Sequence, residues 1–256
     1  KTRAIIVSAV QWINGLRMDL AAFSQLARER GIFLVVDAIQ QLGVVPLDLS
    51  KLQVDFLAAG GQKWLNAPFN VGVLYVRDEI EMPVKPSVAH GLSALAEPEE
   101  GWAKYLGDPE LTPFLSLPMA PGARRFETNG MPRHLGTAGF AEAVSYFNRL
   151  DSKAVLEHVL ALGDFLIEEL MFRGIKVWTP KAHDLRSGIV SCEPFPIADK
   201  VHKLDSAFQA QRIYPTVRYC SRIGGLRISI HYYTSSEDLR MFLDVLDVAL
   251  KHIESV

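Results

Sequence analysis

The sequence predicts an α/β fold, with a mostly parallel sheet covered by helices and a smaller C-terminal α/β domain. Two apolar runs rich in β-branched residues, Ala4–Val10 and Ile32–Asp37, enclose one amphipathic helical segment, which is the pattern of a parallel βαβ unit. Strand and helix patterns alternate again from residue 175 to the C-terminus. With 256 residues, 49% of them hydrophobic, the chain is long enough to bury a substantial core.

The helix of the βαβ unit is marked at both ends. Asp19 is the predicted N-cap of the segment LAAFSQLARER, and Gly31 supplies its stop. Further strands are predicted at Phe56–Ala59 and at Val71–Val76, which follows an Asn-Ala-Pro-Phe-Asn turn. Ligands of parallel sheets bind outside the carboxyl ends of the strands, so the residues that follow these strands are the first candidates for a site.

From about residue 81 to residue 125 the regular patterns stop. This stretch holds seven prolines and no sustained hydrophobic period, and it is predicted to be an irregular connector over the surface or over the site. It belongs to the first predicted domain, residues 1–135. The second, residues 136–256, is predicted to contain a long linking helix and a small α/β unit. Its expected elements are helices at 137–150, 153–174, 199–211 and 236–253, and strands at 175–178, 188–192 and 225–231.

Composition argues against several classes of function. A net charge of −2 and the lack of a basic run interleaved with aromatics argue against nucleic-acid binding. No apolar stretch approaches the length of a membrane span, and no His, Cys, Asp or Glu grouping has metal-ligand spacing. Two cysteines are too few for a disulfide framework, so a cytoplasmic protein is expected. The strand pattern begins at once, without an initiator Met, which predicts that the chain starts inside a domain.

Lys63 is the first candidate for chemistry. It follows the strand FLAA and the glycine pair Gly60 and Gly61, which lets a ligand approach the backbone closely. Its neighbours are apolar or small, and a lysine held among such residues has a lowered pKa and can form a Schiff base with a carbonyl group. The ordinary alternative for an isolated lysine is a solvated loop position.

Asp37 ends the strand before the one that leads to Lys63. Taken alone, an aspartate at a strand end is most often a turn or cap residue. Together with Lys63 it fits pyridoxal phosphate, because the lysine would hold the cofactor covalently and the carboxylate would keep the pyridine nitrogen protonated. Gln40, on the turn after the same strand, is a candidate to hydrogen-bond the phenolic oxygen of the ring. Gln62 is a candidate to donate toward the ring or the phosphate.

Several stretches carry a resemblance to a known family. VVDAIQQLG, GGQKWLNAPFNVGVLYV and LRISIHYYTSSEDL together resemble the class V aminotransferases, a group of pyridoxal-phosphate enzymes that includes cysteine desulfurases, kynureninase and isopenicillin N epimerase-like proteins. SAVQWINGLRMDL, before the first helix, is similar to the family pattern at that place. The resemblance runs in order along the whole chain. It implies the fold of these enzymes, an amino acid substrate and a homodimer.

The resemblance also implies roles for individual residues. Lys63 corresponds to the Schiff-base lysine, Asp37 to the partner of the pyridine nitrogen, and Gln40 to the residue bound to a cofactor oxygen. Gln62 stands where the family has His or Gln. Arg227 falls on the arginine that grips the substrate carboxylate, a role that suits its planar, bidentate fork. Without the motif around it, Arg227 would be interpreted as an exposed residue at the beginning of a strand.

The sequence departs from the family pattern at the phosphate end of the cofactor. The family's N-terminal stretch, with its phosphate-cradling loop and ring-stacking residue, is absent. Ala9 replaces a residue that is often Asn or His, and Gly60 replaces a serine. In the segment RRFETNGMPRHLG, Gly130 stands where the family has a threonine, with Thr128 two residues earlier. These departures predict weak phosphate binding, and uncovered apolar surface that a partner must meet.

Two hypotheses from different classes follow. In the first, the chain is an enzyme in which pyridoxal phosphate on Lys63 acts on an amino acid, with Lys63 moving the α-proton and Arg227 holding the carboxylate. The outcome stays open between transamination, epimerisation and elimination, and a cysteine desulfurase or lyase is the enzymatic alternative. That alternative needs a thiol on a mobile loop, and Cys220 precedes Arg227 by only seven residues. In the second hypothesis, the chain is a truncated, non-catalytic homologue kept for dimerisation or interaction.

Overall fold

The computed structural model describes residues 1–78 and 134–254, with short pieces at 80, 107, 109–110 and 120–126. Most of the connector predicted at 81–125 therefore lies outside the described residues, as do Thr128 and Gly130. The described residues form two four-stranded sheets and five α-helices. None of these helices combines the length and the apolar character needed to cross a lipid bilayer.

The first sheet is mostly parallel, as predicted. Its strands, in spatial order, are β1 (Ala4–Ser8), β2 (Phe33–Asp37), β3 (Phe56–Gly60) and β4 (Gly72–Val76). The first three run parallel, and β4 is antiparallel to β3. β1 and β2 end at the same level, because Ser8 pairs with Asp37. β1 is two residues shorter than predicted, since Val10 leaves the ladder and bridges to Arg17.

Helix α1 (Leu20–Arg30) connects β1 to β2 and completes the predicted βαβ unit. Both predicted caps are confirmed. The Asp19 side chain accepts a hydrogen bond from the backbone N of Ala22 at 3.0 Å, and Gly31 adopts the left-handed conformation with φ 58°. One compact apolar cluster lies between α1 and the sheet, made of Ala9, Leu20, Ala27, Leu34, Val36, Ala38, Val54, Leu57 and Ala59.

The second sheet is antiparallel throughout, with the spatial order β5-β6-β8-β7. Its strands are β5 (Lys176–Val177), β6 (Ile189–Glu193), β7 (Thr216–Cys220) and β8 (Ile223–Ser229). The sequence did not predict β7. It joins β8 through a two-residue turn, Ser221 and Arg222, both at positive φ. Such turns usually carry Asn or Gly, so the sequence lacked the hairpin signal that would have revealed this strand.

Four more helices follow the connector. They are α2 (His134–Asn148), α3 (Ser152–Phe172), α4 (Ala198–Ala210) and α5 (Ser236–Glu254). Residues of α3, α4 and α5 form the larger apolar core with the second sheet, and Phe208 stacks on Phe242 inside it with ring centroids 4.7 Å apart. Val10, Val44 and Trp64, from the first part of the chain, belong to the same core. The two sheets are therefore joined through buried side chains.

Candidate active site

Asp37 and Lys63 lie at the same edge of the first sheet. Asp37 is the last residue of β2, and Lys63 follows the end of β3 by three residues. The two strands are parallel neighbours, with Asp37 paired to Ala58, so both side chains emerge at carboxyl ends. The negative charge of Asp37 also acts to raise the pKa of Lys63, which places the two groups within electrostatic reach. The structure thus brings the predicted pair together.

The Asp37 carboxylate has a fixed orientation and an open face. Its Oδ1 accepts a hydrogen bond from the backbone N of Ile39 at 3.0 Å, and its Oδ2 accepts one from Ser8 Oγ at 3.3 Å. The residue is nevertheless exposed. Ala9 is fully buried, and its backbone N donates a hydrogen bond to the Asp37 carbonyl at 2.8 Å. This bond holds the backbone of Asp37 in place. A ligand can therefore reach a carboxylate that is already positioned.

The Lys63 amine has the lowered pKa that the sequence predicted. Burial of the half-exposed side chain is the largest cause, and the positive charge of Arg227 lowers the pKa further, while Asp37 opposes both. A lower pKa increases the fraction of neutral amine at neutral pH. The neutral amine is the form that attacks a carbonyl carbon.

Gln40 is buried beside this pair, with 5% of its surface exposed. Its Oε1 accepts a hydrogen bond from Trp64 Nε1 at 3.2 Å. That bond fixes the amide so that its nitrogen is the group left to donate to a ligand oxygen. Sequence reasoning identified Gln40 but missed Trp64 as the residue that orients it.

Gln62 folds back over the glycine pair. A Cβ built on Gly60 would lie 2.4 Å from Gln62 Oε1, so the amide fills the space that a side chain at this position would take. The N–H of Gly61 is already used, because it donates to the carbonyl of Val71 at 3.0 Å. The Gln62 amide is therefore one polar group that this turn offers to a ligand, and it stays a candidate for the ring or the phosphate.

Arg227 reaches the same site from the second sheet. It lies inside β8, between Ser191 of β6 and Thr216 of β7, and is half-buried. Its Nη1 donates to the carbonyl of Trp12 at 2.9 Å, while its buried Nε has no hydrogen-bond partner among the described residues. Burial lowers the pKa of Arg227, and the nearby Arg218 lowers it further. A partly desolvated guanidinium with an unpaired donor is suited to receive a carboxylate.

Trp64 fixes the turn that carries Lys63 to the second half of the chain. Its ring is 3% exposed and stacks on His231, with centroids 5.3 Å apart and planes at 19°. A Cβ at Gly188 would lie 2.6 Å from Trp64 Cη2, so only glycine fits there. One further bond crosses the junction, from Asn66 Nδ2 to the Tyr232 hydroxyl at 2.9 Å. His231 thus packs against Trp64 at this junction.

The two cysteines are weaker candidates for chemistry at this site. Cys220 is an exposed free thiol at the end of β7, beside the tight turn, so it does not lie on a long loop. Cys192 is fully buried, and burial raises the pKa of its thiol to about 12. No three His, Cys, Asp or Glu side chains of the described ranges gather in a way that could hold a metal ion.

Comparison with known proteins points to one family. The family model of Aminotransferase class-V matches residues 1–242. Isopenicillin N epimerase of Streptomyces clavuligerus is 31% identical over 252 residues, and a probable cysteine desulfurase of Pyrococcus abyssi is 26% identical over 267 residues. These alignments cover 96% and 100% of this chain but 60% and 62% of the two relatives. The chain thus spans about three fifths of their length.

Solved structures share the fold. The apo cysteine desulfurase of Thermococcus onnurineus matches with a TM-score of 0.84 at 22% identity, over 98% of this chain and 60% of that one. The cystine C-S lyase C-DES, in complex with cysteine persulfide, matches with a TM-score of 0.80 at 25% identity, over 96% of this chain and 61% of that one. Because the family match extends over nearly all of the sequence, the chain belongs to the class-V aminotransferase family.

Proposed function

We propose that the protein is a pyridoxal-phosphate-dependent enzyme that acts on an amino acid, of the class-V aminotransferase type. The observation that carries the proposal is the electrostatic trio of Asp37, Lys63 and Arg227. Two opposite charges act on one half-buried amine, and the three groups come from three different strands or strand ends. A structural lysine gains nothing from a second cation beside it, whereas a binding site for an anionic substrate requires one.

The donor set fits the ring end of pyridoxal phosphate. Asp37 would hold the pyridine nitrogen protonated, the Gln40 amide nitrogen would donate to the phenolic oxygen, and Lys63 would hold the cofactor covalently. Gln62 lies next to them, and its amide would donate toward the ring or the phosphate. Bound there, the cofactor supplies a ring over which negative charge at the substrate α-carbon is delocalised.

Lys63 and Arg227 would act on different groups of the substrate. Arg227 would bind and orient the substrate carboxylate through its guanidinium group. Lys63 Nζ, in the neutral form that its lowered pKa favours, would accept the α-proton and hold it as an ammonium group for return. The stack of Trp64 on His231 keeps the backbone of Lys63 at a constant distance from the second sheet.

A cysteine desulfurase or lyase is the enzymatic alternative, and one observation favours it. Cys220 pairs with Ile223 in the same ladder in which Thr216 pairs with Arg227, so the thiol and the guanidinium share one face of the sheet. The tight turn after Cys220 restrains this thiol, however, and desulfuration needs a thiol that travels to the bound substrate. The aminotransferase-type function therefore ranks first.

We also propose a homodimer located in the cytoplasm. Large apolar side chains are exposed on β1, on the turn after Lys63 and on α2, namely Ile6 (77%), Phe69 (79%) and Leu135 (91%). A second protein surface that covers them would relieve this exposure. Free cysteines at 192 and 220 agree with a reducing compartment.

Borohydride trapping separates this function from the non-catalytic alternative. The protein is incubated with pyridoxal phosphate, reduced and digested, and the pyridoxyl group is located by mass spectrometry. We expect it on the peptide that contains Lys63, and we expect none after Lys63→Ala. Lys51→Ala, which removes an exposed lysine paired with Asp48 at 3.1 Å, is the matched control and should label normally. A protein that takes up no cofactor would establish the non-catalytic alternative for this chain.

A further inference from the structure

We propose that the substrate is an amino acid with a second anionic group on its side chain, and that Arg218 binds this group. The inference rests on the proposed function, since it names the substrate class of the same site. Arg218 lies on β7, next to the strand that carries Arg227. The cofactor ring and the α-carboxylate already have Asp37, Lys63 and Arg227 as their proposed partners.

The strand register places the two arginines on one face of the second sheet. Thr216 pairs with Arg227, and Arg218 pairs with Gly225, so Arg218 and Arg227 are diagonal neighbours. The α-carbons of such neighbours lie roughly 7–8 Å apart. Val217, the residue before Arg218, packs against the apolar core on the opposite face. The two guanidinium groups therefore flank a gap that a short substrate side chain can span.

Among the described residues, no ion pair neutralises the charges on this face. No Asp or Glu of the described residues forms an ion pair with either arginine. Glu193, which shares this face through β6, is paired with Lys176 at 3.2 Å. Arg218 is exposed, and the hydrogen bond shown for its side chain goes from Nη1 to the carbonyl of Val217 at 2.8 Å. Most of its donors are free for a ligand.

The two arginines also act on each other. The positive charge of Arg218 contributes to the lowered pKa of Arg227, and Arg227 in turn lowers the pKa of Lys63. Three cations thus follow one another from the turn after β3 to β7, and Asp37 acts on the first of them, Lys63. A ligand with a single negative charge leaves this row under-neutralised, whereas a ligand with two anionic groups balances it.

Gly225 adds a steric argument. It is the residue directly opposite Arg218, so β8 presents no side chain at that point. A Cβ there would lie 2.2 Å from the carbonyl oxygen of Cys192, which means that no other residue can be accommodated without moving β6. Gly225 therefore leaves Arg218 without a facing side chain on β8.

Charged and neutral amino acids of equal size test the proposal. The cofactor-loaded protein is titrated with L-glutamate and L-glutamine, and with L-aspartate and L-asparagine, while the cofactor absorbance reports binding. We expect at least one acidic amino acid to half-saturate at a concentration about tenfold lower than its amide. Arg218→Gln should remove this preference, so that the acid and its amide half-saturate at similar concentrations. Arg218→Lys, which keeps the charge, should retain part of it.

Arg240→Gln serves as the matched control, because Arg240 is exposed on α5 and contacts Ser236. It should leave the preference intact. Equal binding of acids and amides by the unaltered protein, or a preference that survives Arg218→Gln, overturns the proposal while the proposed function stands. A protein that retains no cofactor on Lys63 overturns the proposed function, and this inference with it.

Discussion

The sheet that carries Lys63 and the sheet that carries Arg227 differ in how they are covered. Residues of three helices pack into one core with the second sheet, and Ile189, Leu226 and Cys192 are fully buried in it. The described part of the first sheet has α1 on one face, while Ile6 of β1 and Leu74 of β4 stay exposed. One half of the site is thus supported by a complete core. The other half, around Lys63, depends on local hydrogen bonds and on Trp64, which is buried in the core of the second sheet.

The difference shows which contacts fix the geometry of the site. The backbone of Arg227 is set by the ladder between β6, β8 and β7, and its Nη1 bonds to the Trp12 carbonyl of the first half. Lys63 is set by a turn whose next residue, Trp64, is buried in the second half of the chain. The distance between the two cations therefore depends on packing at the junction. Four experiments test this dependence.

The largest effect is expected in the second core. Phe208 is fully buried and stacked on Phe242, so Phe208→Ala should lower the free energy of unfolding by about 3–5 kcal/mol, measured by urea titration. Phe69→Ala is the matched control on the first half, because Phe69 is 79% exposed. It should change stability by less than about 0.5 kcal/mol. Equal losses would show that the two halves are covered alike.

A smaller effect is expected at the junction. Gly188→Ala would place a Cβ 2.6 Å from Trp64 Cη2 and 2.7 Å from the Ile230 carbonyl, so it should cost about 2 kcal/mol and displace the indole. Trp64 fluorescence should report the displacement. Gly163→Ala, inside α3, has its nearest neighbour at 3.8 Å and should stabilise by about 1 kcal/mol. If Gly188→Ala left the free energy of unfolding unchanged, Trp64 would not be tightly held.

The pH dependence of the free energy of unfolding should show the contribution of His231. Burial lowers its pKa from the ordinary 6.5, so the unfolded chain takes up a proton at a higher pH than the folded one. The stability linked to His231 is complete above pH 6.5 and is lost as the pH falls below it. His231→Phe should make the decline of unfolding free energy below pH 6.5 shallower. Tyr233→Phe, which keeps the stacked ring 4.2 Å from His231, should not.

The smallest effects are shifts in the Lys63 titration. Arg227 lowers the pKa of Lys63 and Asp37 raises it, so Arg227→Gln should move the pKa up and Asp37→Asn should move it down. Rates of Lys63 acylation against pH in the cofactor-free protein, followed by mass spectrometry, measure both shifts. Arg240→Gln should leave the curve in place. Shifts of the same sign in both variants would contradict the proposed arrangement of charges.

The sequence predicted much of the fold from local patterns. Asp19 and Gly31 marked the ends of α1 correctly, and the parallel arrangement of β1 and β2 followed from strand–helix–strand spacing. Family and cofactor followed from the motifs around Asp37 and Lys63, and the family match confirms both. β7 was not predicted, because its turn, Ser221 and Arg222, lacks the usual Asn or Gly.

What the sequence determined by itself is the chemistry of single positions, since a lysine after a glycine pair and an acid at a strand end are local signals. Only the tertiary structure decided which groups act on one another. The bond from Trp64 to Gln40, the approach of Arg227 to Lys63, and the neighbouring place of Arg218 all join residues distant in the chain. Register and packing create these contacts, and neither can be read from a local pattern.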